Sequence, residues 1–276
     1  MKKKYKLTKE TINVFNKTLY RIEALRDFND VKKGDKGGFV EKEDNLSQSD
    51  NCWVYDNAMV FGNAEVFGNA KVFGNAMVYG NAMVYGDAVV YGNAVVYNYA
   101  KVYGNAEVFG IAWVFDNARV FGNARVFGNA IVRDKAVVFD DAEVCDNARV
   151  FDKAKVYGNA EIFDDAKIYD DAKIYGLAWV YRNAEVCGSA EVCGDARICA
   201  DAKVENNGDY IVFKNWWSSG RYFTWTKSND MWKVGCFYGT GKELIDKAYR
   251  DSEISGREYE RIVKYVETIN NDLEIM

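Results

Sequence analysis

Residues 58–75 read AMVFGN AEVFGN AKVFGN, and the pattern runs on without insertion or slip. From Ala58 to Ala202 every sixth residue is alanine, and two places after each stands a valine or isoleucine, giving 25 consecutive Ala-x-(Val/Ile) units. Along an extended chain, alternation turns Ala and Val to one side and x and the following aromatic to the other. The Gly-Asn or Asp-Asn pair fits a corner where one residue needs a positive φ. Three units per turn make an 18-residue triangular coil, whose narrow interior suits one small and one β-branched residue per side. A fixed period with both residues in phase predicts a β-solenoid. About 8 coils at roughly 4.8 Å each predict a rod of about 40 Å.

Outward from the repeat, residues 1–50 read as a cap. KYKLTKETINVF and KTLYRIEAL predict a hairpin joined around Asn16-Lys17, followed by the glycine-rich VKKGDKGGFV. The six-residue pulse begins before Ala58, since Leu46 and Cys52 hold the alanine phase and Val54 the valine phase. Residues 51–205 are the solenoid. Residues 206–276 change character: YIVFKNWW, RYFTWTKS and MWKVGCFYG predict three strands. Thr240-Gly-Lys-Glu243 and Ser255-Gly-Arg-Glu258 read as capping boxes for helices over 241–251 and 256–270. Leu244, Ile245 and Ala248 on the first helix, and Tyr259, Ile262, Val263 and Val266 on the second, fall on inward faces.

Composition narrows the chemistry. The chain has no histidine. That removes His general acid–base catalysis, His metal sites and Ser–His or Cys–His nucleophilic pairs. Formal net charge is −5, with the excess acid in the solenoid, so general nucleic-acid binding is not expected. No run of 18 apolar residues occurs, which predicts no membrane span and a cytoplasmic protein. Of the six cysteines, Cys187, Cys193 and Cys199 lie one unit apart and so on three different faces, too far apart to bridge. Free thiols are expected. No cofactor is expected.

Four groupings are candidates for function. Aromatics recur at 18 residues, as in Phe61, Tyr79, Tyr97, Phe115 and Phe67, Tyr85, Tyr103, Phe121. These predict stacked ladders that hold coil to coil. At the x position of one face, Met59, Met77, Val95, Trp113 and Ile131 form an apolar stripe that turns charged at Arg149, Lys167 and Glu185, which predicts an interface. Asp116, Asp134, Asp152 and Asp170 share one corner, beside Lys135 and Lys153, and read as turn residues or a cation column. The C-terminal part gathers Trp216, Trp217, Arg221, Tyr222, Trp225, Lys227, Trp232 and Lys233. Aromatics interleaved with cations suit a flat, anionic, nucleotide-like ligand. The alternative is that the tryptophans are core. GTGK at 239–242 could hold a phosphate at a helix start.

The repeat resembles the hexapeptide pattern of left-handed parallel β-helices, an aliphatic residue followed four places later by a small one, as in Val60 then Ala64. It departs from that family in placing Phe or Tyr after the aliphatic residue. GDKGGFVEKEDNLSQSDNCWVYDNA (34–58) looks like the cap of uncharacterised bacterial β-helix proteins labelled as transferases. The whole layout, with the tail WSSGRYFTWT…MWKVGCFYGTG (217–241), is similar to hexapeptide-repeat proteins of phages and prophages. The resemblance implies a left-handed parallel β-helix, a phage or prophage source and a homo-oligomer, with a trimer of parallel axes favoured. Hexapeptide acyltransferases share the period, but they use a catalytic histidine and an inserted loop, and this chain has neither. The expectation is a mainly β, non-enzymatic binding protein whose oligomeric rod presents a site to a host protein or a nucleotide-derived small molecule, as a host-defence inhibitor would. Structural self-assembly is the alternative.

Overall fold

The computed structural model describes residues 3–275, with side chains through residue 271. The first two strands, β1 (Tyr5–Val14) and β2 (Lys17–Ala24), form the expected hairpin. Its two turn residues are Phe15 and Asn16, both at positive φ. Strand β3 (Lys36–Val40) pairs antiparallel with β2 and parallel with the solenoid strand at Met59–Val60. The cap therefore merges with the first solenoid face. Its amides already follow the solenoid rule, with Phe39 N donating to Ala58 O and Glu41 N to Val60 O.

Twenty-six two-residue strands follow, β4 (Trp53–Val54) to β29 (Lys203–Val204), each beginning six residues after the last. They lie in three parallel sheets, one of which continues into β3, β2 and β1. The solenoid has about nine turns rather than about eight. The extra turn comes from residues before Ala58, where Leu46 bridges to Val66 and β4 pairs with Lys71–Val72. Every alanine from Ala58 to Ala202 and every partner Val or Ile from Val60 to Val204 is buried. Each coil stacks on the next in strict register, as Val95 and Val96 do on Trp113 and Val114.

Each unit sends its amides one way, toward the next coil. Asn93 N donates to Gly110 O, Val95 N to Ala112 O and Tyr97 N to Val114 O, at 2.7, 2.9 and 3.1 Å. The corner is a four-residue turn whose first central residue is left-handed, for example Gly104 at φ +71°. A Cβ there would lie 3.0 Å from the Gly122 amide nitrogen of the next coil. Where Asn or Asp takes this place, as at Asn98 and Asp116, a residue tolerant of αL supplies a side chain as well.

One-way donation gives the rod two unlike ends. At the N-terminal end, carbonyls lack a donor from any earlier coil. The ammonium of Lys4, fully buried, donates to Asp50 O and Cys52 O at 2.8 Å each. The hydroxyl of Tyr5 lies 2.8 Å from the carbonyls of Glu43 and Leu46. Trp53 closes this end against the edges of Tyr5 and Phe28.

At the C-terminal end, amides lack an acceptor. One side-chain oxygen meets the last strand of each face: Asn207 Oδ1 takes Glu191 N at 2.7 Å, Thr224 Oγ1 takes Arg197 N at 3.0 Å, and Ser228 Oγ takes Lys203 N at 2.7 Å. Thr224 belongs to a strand of an antiparallel sheet, Ser228 to one of its turns, and Asn207 to the turn before it. The sheet has four strands, β30 (Tyr210–Lys214), β31 (Tyr222–Thr226), β32 (Met231–Val234) and β33 (Phe237–Gly239). Three were expected, but MWKVGCFYG folds back on itself at Gly235, whose φ is +57°.

Helices α1 (Gly241–Asp251) and α2 (Glu253–Ile275) cover the far side of the sheet. The Thr240–Glu243 capping box forms, and it corrects the phosphate reading of GTGK: the Glu243 carboxylate already accepts the Thr240 amide at 2.9 Å. The second box does not form. Ser252 Oγ accepts the Ser255 amide, so α2 starts three residues earlier than expected, and Glu258 pairs with Arg261. Among the described residues, no helix is long and apolar enough to cross a membrane.

Candidate functional site

Alternation along the C-terminal strands sorts the candidate ligand residues. Phe223, Trp225, Trp232 and Val234 point to the helices and form a core with Leu244, Ala248, Tyr259, Val263 and Val266. Trp225 and Trp232 are thus core rather than ligand-binding, a correction that follows from strand period and from the helices above them. The Trp225 indole N–H also reaches Asp230 at 2.8 Å. Lys233 lies on the opposite side, half-buried, and burial holds its ammonium below the usual lysine range. Lys227 is exposed, and its amide donates to Asp209 O.

Trp216 and Trp217 stand at the tip of the β30–β31 hairpin, 73% and 77% exposed. The tip is ordered by Asn215, fully buried, whose Oδ1 accepts the amides of Trp217 and Ser218 at 3.0 Å. The Lys214 ammonium sits 4.2 Å from the Trp216 ring centroid.

Arg221 and Tyr222 have another setting. Here the sheet overhangs the third solenoid face, the nine-stranded one that starts at Trp53–Val54 and carries Trp179, and the two together line a cleft of about 450 Å³. From the solenoid come Glu161, Trp179 and Arg197, x residues of three successive coils, with Leu177 and Asp195 at the adjoining corner. The Arg197 guanidinium lies 4.5 Å from the Trp179 ring centroid, and Phe163 meets the same indole edge-on at 5.9 Å. Neither Arg197 nor Arg221 forms an ion pair or a side-chain hydrogen bond among the described residues, whereas Arg125 pairs with Glu143 and Arg133 with Asp134. Burial and the nearby Glu143 push the Glu161 carboxyl above its ordinary range. A hydrogen bond to Asp195 raises the Tyr222 hydroxyl. The cleft thus offers aromatic surface, two free guanidiniums and two carboxylates. Its solenoid half was not singled out in the sequence. The signal was there in the x column, where Trp179 interrupts charges and Leu177 interrupts a run of Asn and Asp.

The apolar stripe is more covered than expected. The hairpin folds over its start, so that Met59 packs with Leu19, Phe39 and Phe61, and Phe15 lies 6.0 Å from both Phe61 and Tyr79. Met77 and Ile131 are half-buried and Val95 is buried, because neighbouring coils lie one strand spacing away on either side. Trp113 remains, 46% exposed, and Ile111 and Tyr99 are exposed at the two corners flanking its face, where the coils above and below each of them hold Asn.

The ladders form as expected, with parallel rings 4.8 Å apart at Phe67–Tyr85, Tyr85–Tyr103 and Tyr103–Phe121. A third ladder stacks Phe73, Tyr91, Phe109 and Phe127, and the three columns reach cysteine on the last coil, at Cys187, Cys193 and Cys199; the six cysteines are free. The Asp column does turn chemistry: Asp134, Asp152 and Asp170 each accept the amide of the equivalent residue one coil on, and Asp116 accepts Asn98 Nδ2 at 2.8 Å. Among the described residues no three Cys, Asp or Glu side chains gather as metal ligands.

A family model described as YdcK Beta solenoid repeat matches residues 70–86, 78–92 and 118–138. The matched stretches lie within the solenoid and touch neither the 34–58 segment nor the 217–241 tail. No curated protein matches the chain. The middle of the rod is thus similar to YdcK-type β-solenoid repeats, and the two ends are outside that likeness.

Proposed function

We propose that this chain is a non-enzymatic binding protein whose rod carries a small-ligand site at its C-terminal end. The observation behind this reading is the cleft between Trp179, Arg197, Arg221 and Tyr222, where two guanidiniums that form no ion pair among the described residues stand beside a half-buried indole and an exposed phenol ring. A pocket of a few hundred Å³ with few convergent polar groups is where a ligand is expected. Closing the rod requires Thr224 and Ser228, not Arg221 or Tyr222, so these two residues are surplus to the cap. Binding to the native state raises the melting temperature, by an amount that grows with the logarithm of ligand concentration over dissociation constant. Small anions carrying a ring, each at about ten times its dissociation constant or more, are expected to raise it by a few degrees. The Arg197→Gln/Arg221→Gln double variant should keep the parent melting temperature and lose that response. A response retained in full by the double variant would end this reading.

A second reading rests on Trp113, Ile111 and Tyr99. Three exposed large apolar side chains, one on a face and one at each of its two flanking corners, favour a contact between copies of the chain, the homo-oligomer that the resemblance implies. Light scattering of an Ile111→Lys/Trp113→Glu variant tests it, with a fall in mass expected and an unchanged oligomer as the contrary result. The phage setting and the host-defence role come from the resemblance of the tail, and the geometry adds nothing to them.

A further inference from the structure

We infer that the cleft takes a flat-ringed, singly or doubly charged anion of mononucleotide size. The ring lies against Trp179 and Tyr222, and the anionic group sits between Arg197 and Arg221. This inference rests on the cleft being a ligand site.

Four features carry it. A cleft of about 450 Å³ holds one ring system and one charged group, not a polymer. The Trp179 indole is half-buried, met edge-on by Phe163 and already faced by the Arg197 guanidinium at 4.5 Å, so it is a fixed aromatic wall that holds the guanidinium beside a bound ring. Arg197 comes from the solenoid and Arg221 from the overhanging sheet. Guanidiniums reaching in from two walls suit the planar, forked recognition of phosphate or carboxylate. Each keeps its side-chain donors unpaired among the described residues, in contrast to Arg125. The carboxylates of Glu161 and Asp195 add two acceptors at the rim. Asp195 already accepts the Tyr222 hydroxyl, and the lone pairs left on the two carboxylates suit the donors of a nucleobase edge or of ribose hydroxyls.

The sources of such a ligand divide by chemistry. A sugar acid shares the anion but lacks the flat ring, and a nucleoside shares the ring but lacks the anion. Calorimetric titration of the full chain with AMP, adenosine, glucuronate and inorganic phosphate separates them. AMP is expected to bind with a dissociation constant below about 1 mM, and adenosine and phosphate each about tenfold or more weaker. Arg197→Gln and Arg221→Gln should each weaken AMP about tenfold while leaving the melting temperature in place. Trp179→Leu should weaken AMP but not phosphate. If glucuronate binds as tightly as AMP and is lost in the same arginine variants, the ligand class is wrong and the cleft remains a site. If none of the four probes binds at 5 mM, or if AMP binds the arginine double variant as it binds the parent, both the class and the site are overturned.

Discussion

The two ends of the rod face opposite chemical problems and are closed by opposite kinds of group. The first coil presents carbonyls, and it is met by donors, the Lys4 ammonium and the Tyr5 hydroxyl. The last coil presents amides, and it is met by acceptors on Asn207, Thr224 and Ser228. Both closures follow from one fact, that every unit donates forward. The ends differ in what is left over. The N-terminal lid is filled by Tyr5, Phe28 and Trp53, while the C-terminal sheet extends past the coil it caps and leaves a cleft. That surplus is what points to function at one end and to stability at the other.

The comparison can be broken, first, at Lys4. Lys4→Met orphans the buried carbonyl of Cys52 and the part-buried one of Asp50, and is expected to destabilise the chain by about 2–4 kcal/mol, read as a lower denaturant midpoint. A change under about 0.5 kcal/mol would mean that the N-terminal carbonyls need no donor. Thr224→Val removes one acceptor at the other end and should cost about 1–3 kcal/mol, with Arg197 N–H exchanging faster with solvent. Equal protection of that amide in parent and variant would show that the sheet does not cap the coil through Thr224.

Between the ends, Tyr103→Leu deletes two stacked contacts, with Tyr85 and Phe121. It should cost about 1–3 kcal/mol, and Tyr103→Phe close to nothing, because the ring and not the hydroxyl makes the contact. The smallest effect sharpens the account of the cleft. Burial and Glu143 raise the Glu161 carboxyl above its ordinary range, so it takes up a proton at a higher pH than an ordinary carboxyl and removes a negative charge beside Arg197. Affinity for an aryl sulfonate, whose own charge is constant, should therefore rise about two- to threefold from pH 7 to pH 5. Glu161→Gln should flatten the profile. The same sign governs stability: a folded value above the unfolded one contributes below the unfolded value and is lost as pH rises through the folded one.

The rod was fully legible from Ala58 onward, because a period of six with Ala and Val in phase leaves each position one orientation. The ladders followed from the same period. The ends were less legible. A single buried Lys4 has no periodic signal, and its role appears only when the unpaired carbonyls of Asp50 and Cys52 are placed beside it. Trp225 and Trp232 could be assigned to the core once the helices fixed which side of β31 and β32 was covered. Met59 looked exposed because nothing in its own repeat shows that the β1–β2 hairpin folds back over it. The cleft joins Trp179 to Tyr222 across 43 positions of sequence and two kinds of structure, and no local pattern spans that distance.

The central claim is that function sits where the C-terminal sheet overhangs the third face. The most direct measurement follows the indole N–H signals of the seven tryptophans by NMR while AMP is added, with Trp179 assigned from a Trp179→Phe variant. The account predicts that the Trp179 signal moves with saturation while Trp53, buried at the far end, stays fixed. Movement confined to Trp216 and Trp217 at the exposed hairpin tip, with Trp179 unmoved, would contradict it.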